Sequence, residues 1–436
     1  MSGKRARLPL LLAMSVFNFA LAAPALGKTT LTTVIWGEGG FMRYHDFWGA
    51  KERFEALNPD IEIELLQGSG DANAYVERVL VMNASGSAID VITAMPHWDV
   101  SLAYDGITRD LAPFMERDGL SAADYVPGTI QGFTWGSKVW GLPLGALIYG
   151  SAYNARLLDE AGYAPPGQHD WTWDDVRDVA RRLTLDRDGD GVTDQYGVAI
   201  ERTPATNFFY GLAYQAGGMF YDAFIDPKVS HWNTPEVLEA VSYYLSFYED
   251  GYAPFQTHAY SALWVQNRAA FLWLNASSTW GSFAHLDRTL GHYDVVTIPM
   301  PKEPVRGGWQ MTAYGVQMTS SSKYPEAAWE WMKYLSTSRD EVIARYETGE
   351  VLMSSYIRNV PLFLEYGHAV VDPQIWVDIA SDAHNTPRYS IRNGREINSL
   401  ADRLLTDVVA KKTGLSAALE EIHRVATALL NEAHGQ

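Results

Sequence analysis

Residues 186–197 read Asp-Arg-Asp-Gly-Asp-Gly-Val-Thr-Asp-Gln-Tyr-Gly. Asp186, Asp188 and Asp190 take positions 1, 3 and 5 of an EF-hand calcium loop, with glycine at 6 and Asp194 at 9. The carbonyl of Val192 would serve at position 7. Position 12, which a calcium-switching loop fills with a bidentate glutamate, is Gly197. The spacing therefore supports two readings. One is a structural calcium ion that relieves repulsion among the carboxylates. The other is a metal-free loop in which Asp side chains cap backbone N–H groups as Asx turns.

Other catalytic spacings are missing. The chain has no G-x-S-x-G, Walker A, H-E-x-x-H or G-x-G-x-x-G motif, and its 11 histidines show no ligand-type clustering. It has no cysteine, which excludes disulfides, thiolate metal sites, thiol nucleophiles and lipidation of an N-terminal cysteine. A glycosidase needs only two carboxylates about 5–9 Å apart, and no sequence pattern reveals that arrangement. The 15 Trp and 24 Tyr offer rings for stacking, although most aromatic side chains belong in a core.

The 436 residues exceed one ordinary core and predict two lobes. Residues 1–27 combine Lys4, Arg5 and Arg7 with a short apolar run and small residues, the pattern of a secretory signal peptide. The formal charge of −18 becomes −21 once these three basic side chains are removed. A charge of that sign repels phosphate backbones and anionic lipid, which argues against nucleic-acid and membrane-surface partners.

The elements that must position any site follow an α/β pattern. Strands are expected at 31–36, 61–66 and 90–94, with helices at 44–57 and 74–84 between them. Ligands of such sheets bind beyond the carboxyl ends of the strands, which points to Trp36 and Glu38 after the first strand and to His97 and Trp98 after the third. Thr172 and Asp175 form a capping box. Thr234-Pro235 opens a helix, and Ser322 with Pro325 opens another whose stripe of Ala328, Trp331, Met332 and Leu335 reads as core. Two helices, about 396–411 and 416–432, close the chain.

Several segments, in order, resemble the extracellular solute-binding proteins of bacterial ABC importers, in the maltose-type sugar-binding cluster. They are LTTVIWGEGG, FEALNPDIEIELL, ASGSAIDVI, VWGLPLGALIYGSAYNARLLDEAGYAPP, TWDDV and GGWQMTAYGVQMTSSSKYPEAAWEWMKYLS. The resemblance implies a two-lobed α/β periplasmic-binding-protein (Venus-flytrap) fold, with the ligand in a cleft and several chain crossings between lobes. By analogy lobe 1 takes 28–143 and 298–338, and lobe 2 takes 144–297 and 339–436. The implied ligand contacts are Trp36, Glu38, His97, Trp98, Asn207, Phe208, Trp280, Gly307, Gly308, Trp309, Arg388 and Tyr389, with Trp280 and Trp309 as stacking platforms. The calcium loop would lie in lobe 2, in a structural role, and no other cofactor is implied.

The function so implied is capture of a sugar or oligosaccharide and delivery to the membrane permease subunits of an ABC importer, by a monomeric periplasmic protein that does not cut its ligand. Two alternatives remain. One is a receptor for another polar solute, a polyamine or a glycerol phosphodiester. The other is a secreted carbohydrate-active enzyme.

Overall fold

The computed structural model describes residues 28–37, 45–200, 208–255, 262–264, 266–276, 295–302, 308–367 and 372–435. The expected signal peptide, residues 1–27, lies outside them.

The chain opens with β1 (Thr29–Ile35), α1 (Phe47–Leu57), β2 (Ile61–Gln67), α2 (Ala72–Ala84), β3 (Val91–Ala94) and α3 (Pro96–Tyr104). A short α4 (Ala112–Arg117) and a hairpin of β4 (Thr134–Trp135) and β5 (Lys138–Val139) lead to β6 (Leu142–Leu147). The middle of the chain forms β7 (Tyr149–Asn154), α5 (Ala155–Glu160), α6 (Trp173–Leu183), β8 (Tyr196–Ile200), α7 (Phe208–Gln215), α8 (Pro235–Glu249), β9 (Ala269–Ala276) and β10 (Val295–Ile298). The remainder comprises β11 (Gln310–Met318), α9 (Pro325–Thr337), α10 (Arg339–Glu347), β12 (Met353–Ser354), α11 (Val360–Tyr366), α12 (Pro373–Ala380), β13 (Thr386–Pro387), α13 (Gly394–Val409) and α14 (Leu415–Ala433).

These strands build two main sheets. The first runs β12-β6-β11-β3-β1-β2, with β13 beside β11; the second runs β10-β7-β9-β8. β1 lies parallel to β2, from Thr29 opposite Ile61 to Ile35 opposite Gln67, and parallel to β3. The helices between parallel strands cover the sheet faces. β11 returns antiparallel to both β3 and β6.

Local sequence explains the helices. Thr172 and Asp175 bond reciprocally at the start of α6, and Val176, Val179, Ala180 and Leu183 bury one face. Pro325 opens α9 as expected, but Ser322 does not cap it. Its hydroxyl donates to Asp90 Oδ1 at 2.6 Å, while Asp90 Oδ2 accepts from Thr32 N at 2.9 Å. A buried carboxylate thus stitches the turn before α9 to the first sheet. Trp331 is fully buried, as its stripe required.

Two core clusters form, one centred on each sheet, although Ala152, Ala199, Ala269 and Leu272 of the second sheet join the first cluster; among the described residues the chain passes between the sheets at Ile148, at Trp309 and at 381–389. The placement of 339–436 in the second lobe does not match the packing. Val342, Tyr346, Leu352, Met353 and Phe363 join the first core, and β12 pairs with β6. In α12, Trp376 and Ile379 pack on Gly150 of the second sheet, so this helix straddles both bodies. Only from Tyr389 onward do the buried side chains, among them Ile397, Leu405, Leu419 and Ile422, belong to the second core. An apolar stripe shows that a helix buries a face, but not against which sheet, and a boundary at 338 rested on analogy.

Candidate ligand cleft

At the carboxyl end of β1 the chain is fastened from both sides. Trp36 N donates to Thr93 Oγ1 at 2.7 Å, and the Tyr75 hydroxyl lies 3.0 Å from Val34 O and 2.9 Å from Thr93 O. Gly37 N donates to Ser69 O, and Gln67 Nε2 donates to Gly37 O. Trp36 itself is buried in the first core. Whatever follows it leaves from a rigid base, and Glu38 lies outside the described residues. β3 ends at Ala94, and Pro96 opens α3 almost at once. His97 and Trp98 therefore stand in the first turn of that helix, beyond the strand end.

On the second lobe, Phe208 is the first residue of α7. Asn207, Trp280 and Gly307 lie outside the described residues. Gly308 has φ +87°, and a Cβ there would meet His384 O at 2.5 Å, so only glycine fits. Its carbonyl accepts from Gln215 Nε2 at 3.1 Å, while Gln215 Oε1 accepts from Trp173 Nε1 at 2.8 Å.

Trp309 was expected as a stacking platform. It is 2% exposed and sits in the second core, against Gly211 of α7, where a Cβ would come within 2.3 Å of the indole. Its backbone N–H donates to Asn385 Oδ1, and its backbone carbonyl accepts from Thr386 N. Trp309 thus wedges the crossing in place. With Tyr149, His169, Met300, Lys302 and Asn385 it lines a pocket of about 160 Å³ where the crossings meet.

Arg388 and Tyr389 lie on the third crossing. Arg388 N donates to Met311 O at 2.9 Å, on the first sheet. Tyr389 is buried against the rings of Tyr210, Tyr221 and Phe224, and its hydroxyl accepts from Phe220 N at 3.2 Å. The sequence reading missed Gln215 and Asn385, which hold the crossing in place. Gln215 did leave a trace, as a lone amide closing the apolar helix FFYGLAYQ.

In the 186–197 loop the carboxylates of Asp186, Asp188 and Asp194 converge, each offering an oxygen within 4.8 Å of the others. Asp190 stands apart, its Oδ1 accepting from Val192 N at 2.7 Å. Asp186 accepts from Gly189 N and Gly191 N, Asp188 from Asp190 N, and Asp194 from Arg187 N. These backbone donors hold the Asp186 carboxyl below its usual range, with Gly191 N–H the largest contributor. The missing ligand at position 12 has a steric cause. A Cβ on Gly197 would lie 2.3 Å from Ala180 O, so no glutamate fits where β8 meets α6. Asx caps are formed, and three of the four carboxylates are gathered as a hard cation would require.

Comparison with known proteins agrees with this architecture. An ABC substrate-binding protein of Listeria monocytogenes, solved in complex with cycloalternan, superposes with a TM-score of 0.76 at 19% identity, covering 94% of this chain and 99% of that one. The sugar-binding protein MalE of Xanthomonas citri superposes with a TM-score of 0.77 at 18% identity, covering 93% and 98%. A lipoprotein from the oleD 5′ region of Streptomyces antibioticus is 29% identical over 230 residues, 50% of this chain and 47% of the relative, so the match spans about half of that protein. Residues 46–341 match the bacterial extracellular solute-binding proteins, and the chain belongs to that family.

Proposed function

We propose that this protein captures a sugar or oligosaccharide between its two lobes and delivers it unchanged to the permease of an ABC importer. The observation that carries the reading is the architecture: two α/β bodies, each built on its own sheet and joined at three crossings, with strand ends and a glycine-dependent loop turned to the junction. Hinge motion about such crossings encloses a ligand and expels water. Solved proteins of this fold include a sugar-binding protein and a complex with cycloalternan, which favours carbohydrate over other solutes. Trp280 supplies a stacking face in this proposal, and Glu38, His97, Trp98, Asn207 and Arg388 supply polar or aromatic contacts. Residues 1–27 direct export to the periplasm, where the protein acts as a monomer. Calcium, where it binds, bridges Asp186, Asp188 and Asp194 and stiffens the loop without entering transport.

A thermal-shift screen tests the reading. A ligand that binds only the folded state at 100 times its Kd adds about 2.7 kcal/mol of stability. Stabilisation by one or a few sugars supports the proposal. Stabilisation by a polyamine or a glycerol phosphodiester alone replaces it with the receptor for another solute. A cleaved sugar whose formation stops in Glu38→Gln replaces it with an enzyme.

A further inference from the structure

Tyr104, the last residue of α3, and Trp135 of β4 both belong to the first lobe. Their rings meet edge to face, 4.5 Å apart at 88°. Into this corner projects a cation from the second lobe. The Arg392 guanidinium lies 3.8 Å from the centroid of Tyr104 and 5.4 Å from that of Trp135. A guanidinium over two aromatic faces is attracted by both ring quadrupoles, and more strongly where water is thinned. Arg392 is 27% exposed.

The second lobe holds this side chain in place with care. Arg392 Nε donates to Asp226 Oδ1 at 3.0 Å, and Nη1 donates to Ala433 O at 3.2 Å. The carboxylate is 8% exposed, and His434 Nε2 stands 3.5 Å from the same oxygen. Asp226 has φ +51° and Asn393, next to Arg392, has φ +56°. Two non-glycine residues in left-handed backbone flank the arginine and its counter-ion, and such strain persists only where surrounding contacts enforce it. Asp226 N donates to Ser390 O, which ties the two strained loops together.

We infer that Arg392 is an inter-lobe latch, with Tyr104 and Trp135 as its receptor, that sets the mutual angle of the lobes. Tyr104 and Trp135 lie outside the three crossings, so rotation about those crossings moves the aromatic corner relative to the guanidinium. The contact therefore stabilises the lobe arrangement in which it forms, and biases the equilibrium on which ligand capture acts. A guanidinium over two rings at this strength shifts the ratio of lobe arrangements about fivefold or more.

The absence of cysteine allows a direct test. Glu52→Cys and Glu239→Cys, on exposed faces of α1 and α8, accept spin labels on the two lobes of the full chain. Pulsed dipolar spectroscopy then reads the inter-lobe distance distribution without ligand. Arg392→Ala and Trp135→Ala should each move or broaden it by the same amount, with the double variant adding nothing further. Arg392→Lys, which keeps the charge but not the planar stacking, should fall between. A distribution unchanged in both single variants overturns the latch. So does a change in Arg392→Ala with none in Trp135→Ala, which would assign the effect to the Asp226 network alone.

Discussion

Beneath the first sheet lie a guanidinium, an imidazole and two carboxylates; at equal depth in the second lobe lie phenol and indole rings. Arg345 Nη1 stands 2.6 Å from His45 Nδ1 and 3.3 Å from Glu350 Oε1, and Glu341 accepts from Arg53 Nε at 2.7 Å. All but Arg53 are buried. In the second lobe Trp232 Nε1 donates to the Tyr221 hydroxyl, and Tyr210, Phe220 and Tyr389 close the cluster edge to face. Burial pushes the Tyr210 and Tyr221 phenols upward, away from neutral pH. In the first lobe, burial pushes the Glu350 carboxyl up to about 8, while burial first and then Arg345 push the His45 imidazole well below its usual value. Two cores of similar depth thus differ in kind: the Glu350 carboxyl of the first is pushed toward neutrality, and the Tyr210 and Tyr221 phenols of the second are pushed away from it.

The sharpest way to break this contrast is Arg345→Ala. It removes the guanidinium that meets His45 and Glu350, leaves Glu341 with Arg53 as its cation, and should cost about 1–3 kcal/mol in denaturant unfolding. A loss below about 1 kcal/mol would mean that the cluster is not electrostatically organised.

A second experiment reads the proton itself. Glu350 is protonated in the folded chain at a pH where an unfolded glutamate is ionised, so its contribution is complete below about 4.5 and fades as pH rises toward about 8. His45 acts in the opposite sense, since its contribution is complete above about 6.5 and is lost as pH falls below that value. Of these two groups Glu350 dominates between pH 6.5 and 8, tilting the curve by up to about 1.4 kcal/mol per unit. Stability should fall through that window in wild type, and Glu350→Gln should flatten it.

Tyr389→Phe probes the other side of the comparison. It removes the acceptor of Phe220 N and should cost about 1 kcal/mol, equally at pH 6.5 and pH 8. A pH-dependent loss would show that the second core also titrates.

The smallest effect is expected outside both cores, in the 186–194 loop. With calcium bound, chelator should lower the melting temperature of wild type and leave Asp188→Ala unchanged, with ligand affinity intact in both. No shift in wild type would leave the Asx-turn loop as the whole explanation.

Much of this architecture was legible because it is local. The capping box of Thr172 and Asp175, the proline opening α9 and the alternation of β2 each announce an element within a few residues. The resemblance supplied the two lobes and the crossings. What could not be read was the partner of each buried face. Trp309 follows two glycines as a ligand loop would, yet its ring fills the space over Gly211, a position 98 residues earlier in the chain. Tyr389 and the 339–380 helices went astray for the same reason. Arg392 offered no signal at all, since its meaning depends on Tyr104, Trp135 and Asp226 meeting in space.

The central claim is that the lobes capture a carbohydrate and release it intact. Titration calorimetry with the best sugar from the thermal screen, followed by mass analysis of the recovered sugar, tests it most directly. The account expects a saturable one-to-one isotherm, an unaltered sugar mass and a loss of about 2 kcal/mol or more in binding for Trp280→Ala. No saturable heat with any sugar, or recovery of a cleaved product, would contradict it.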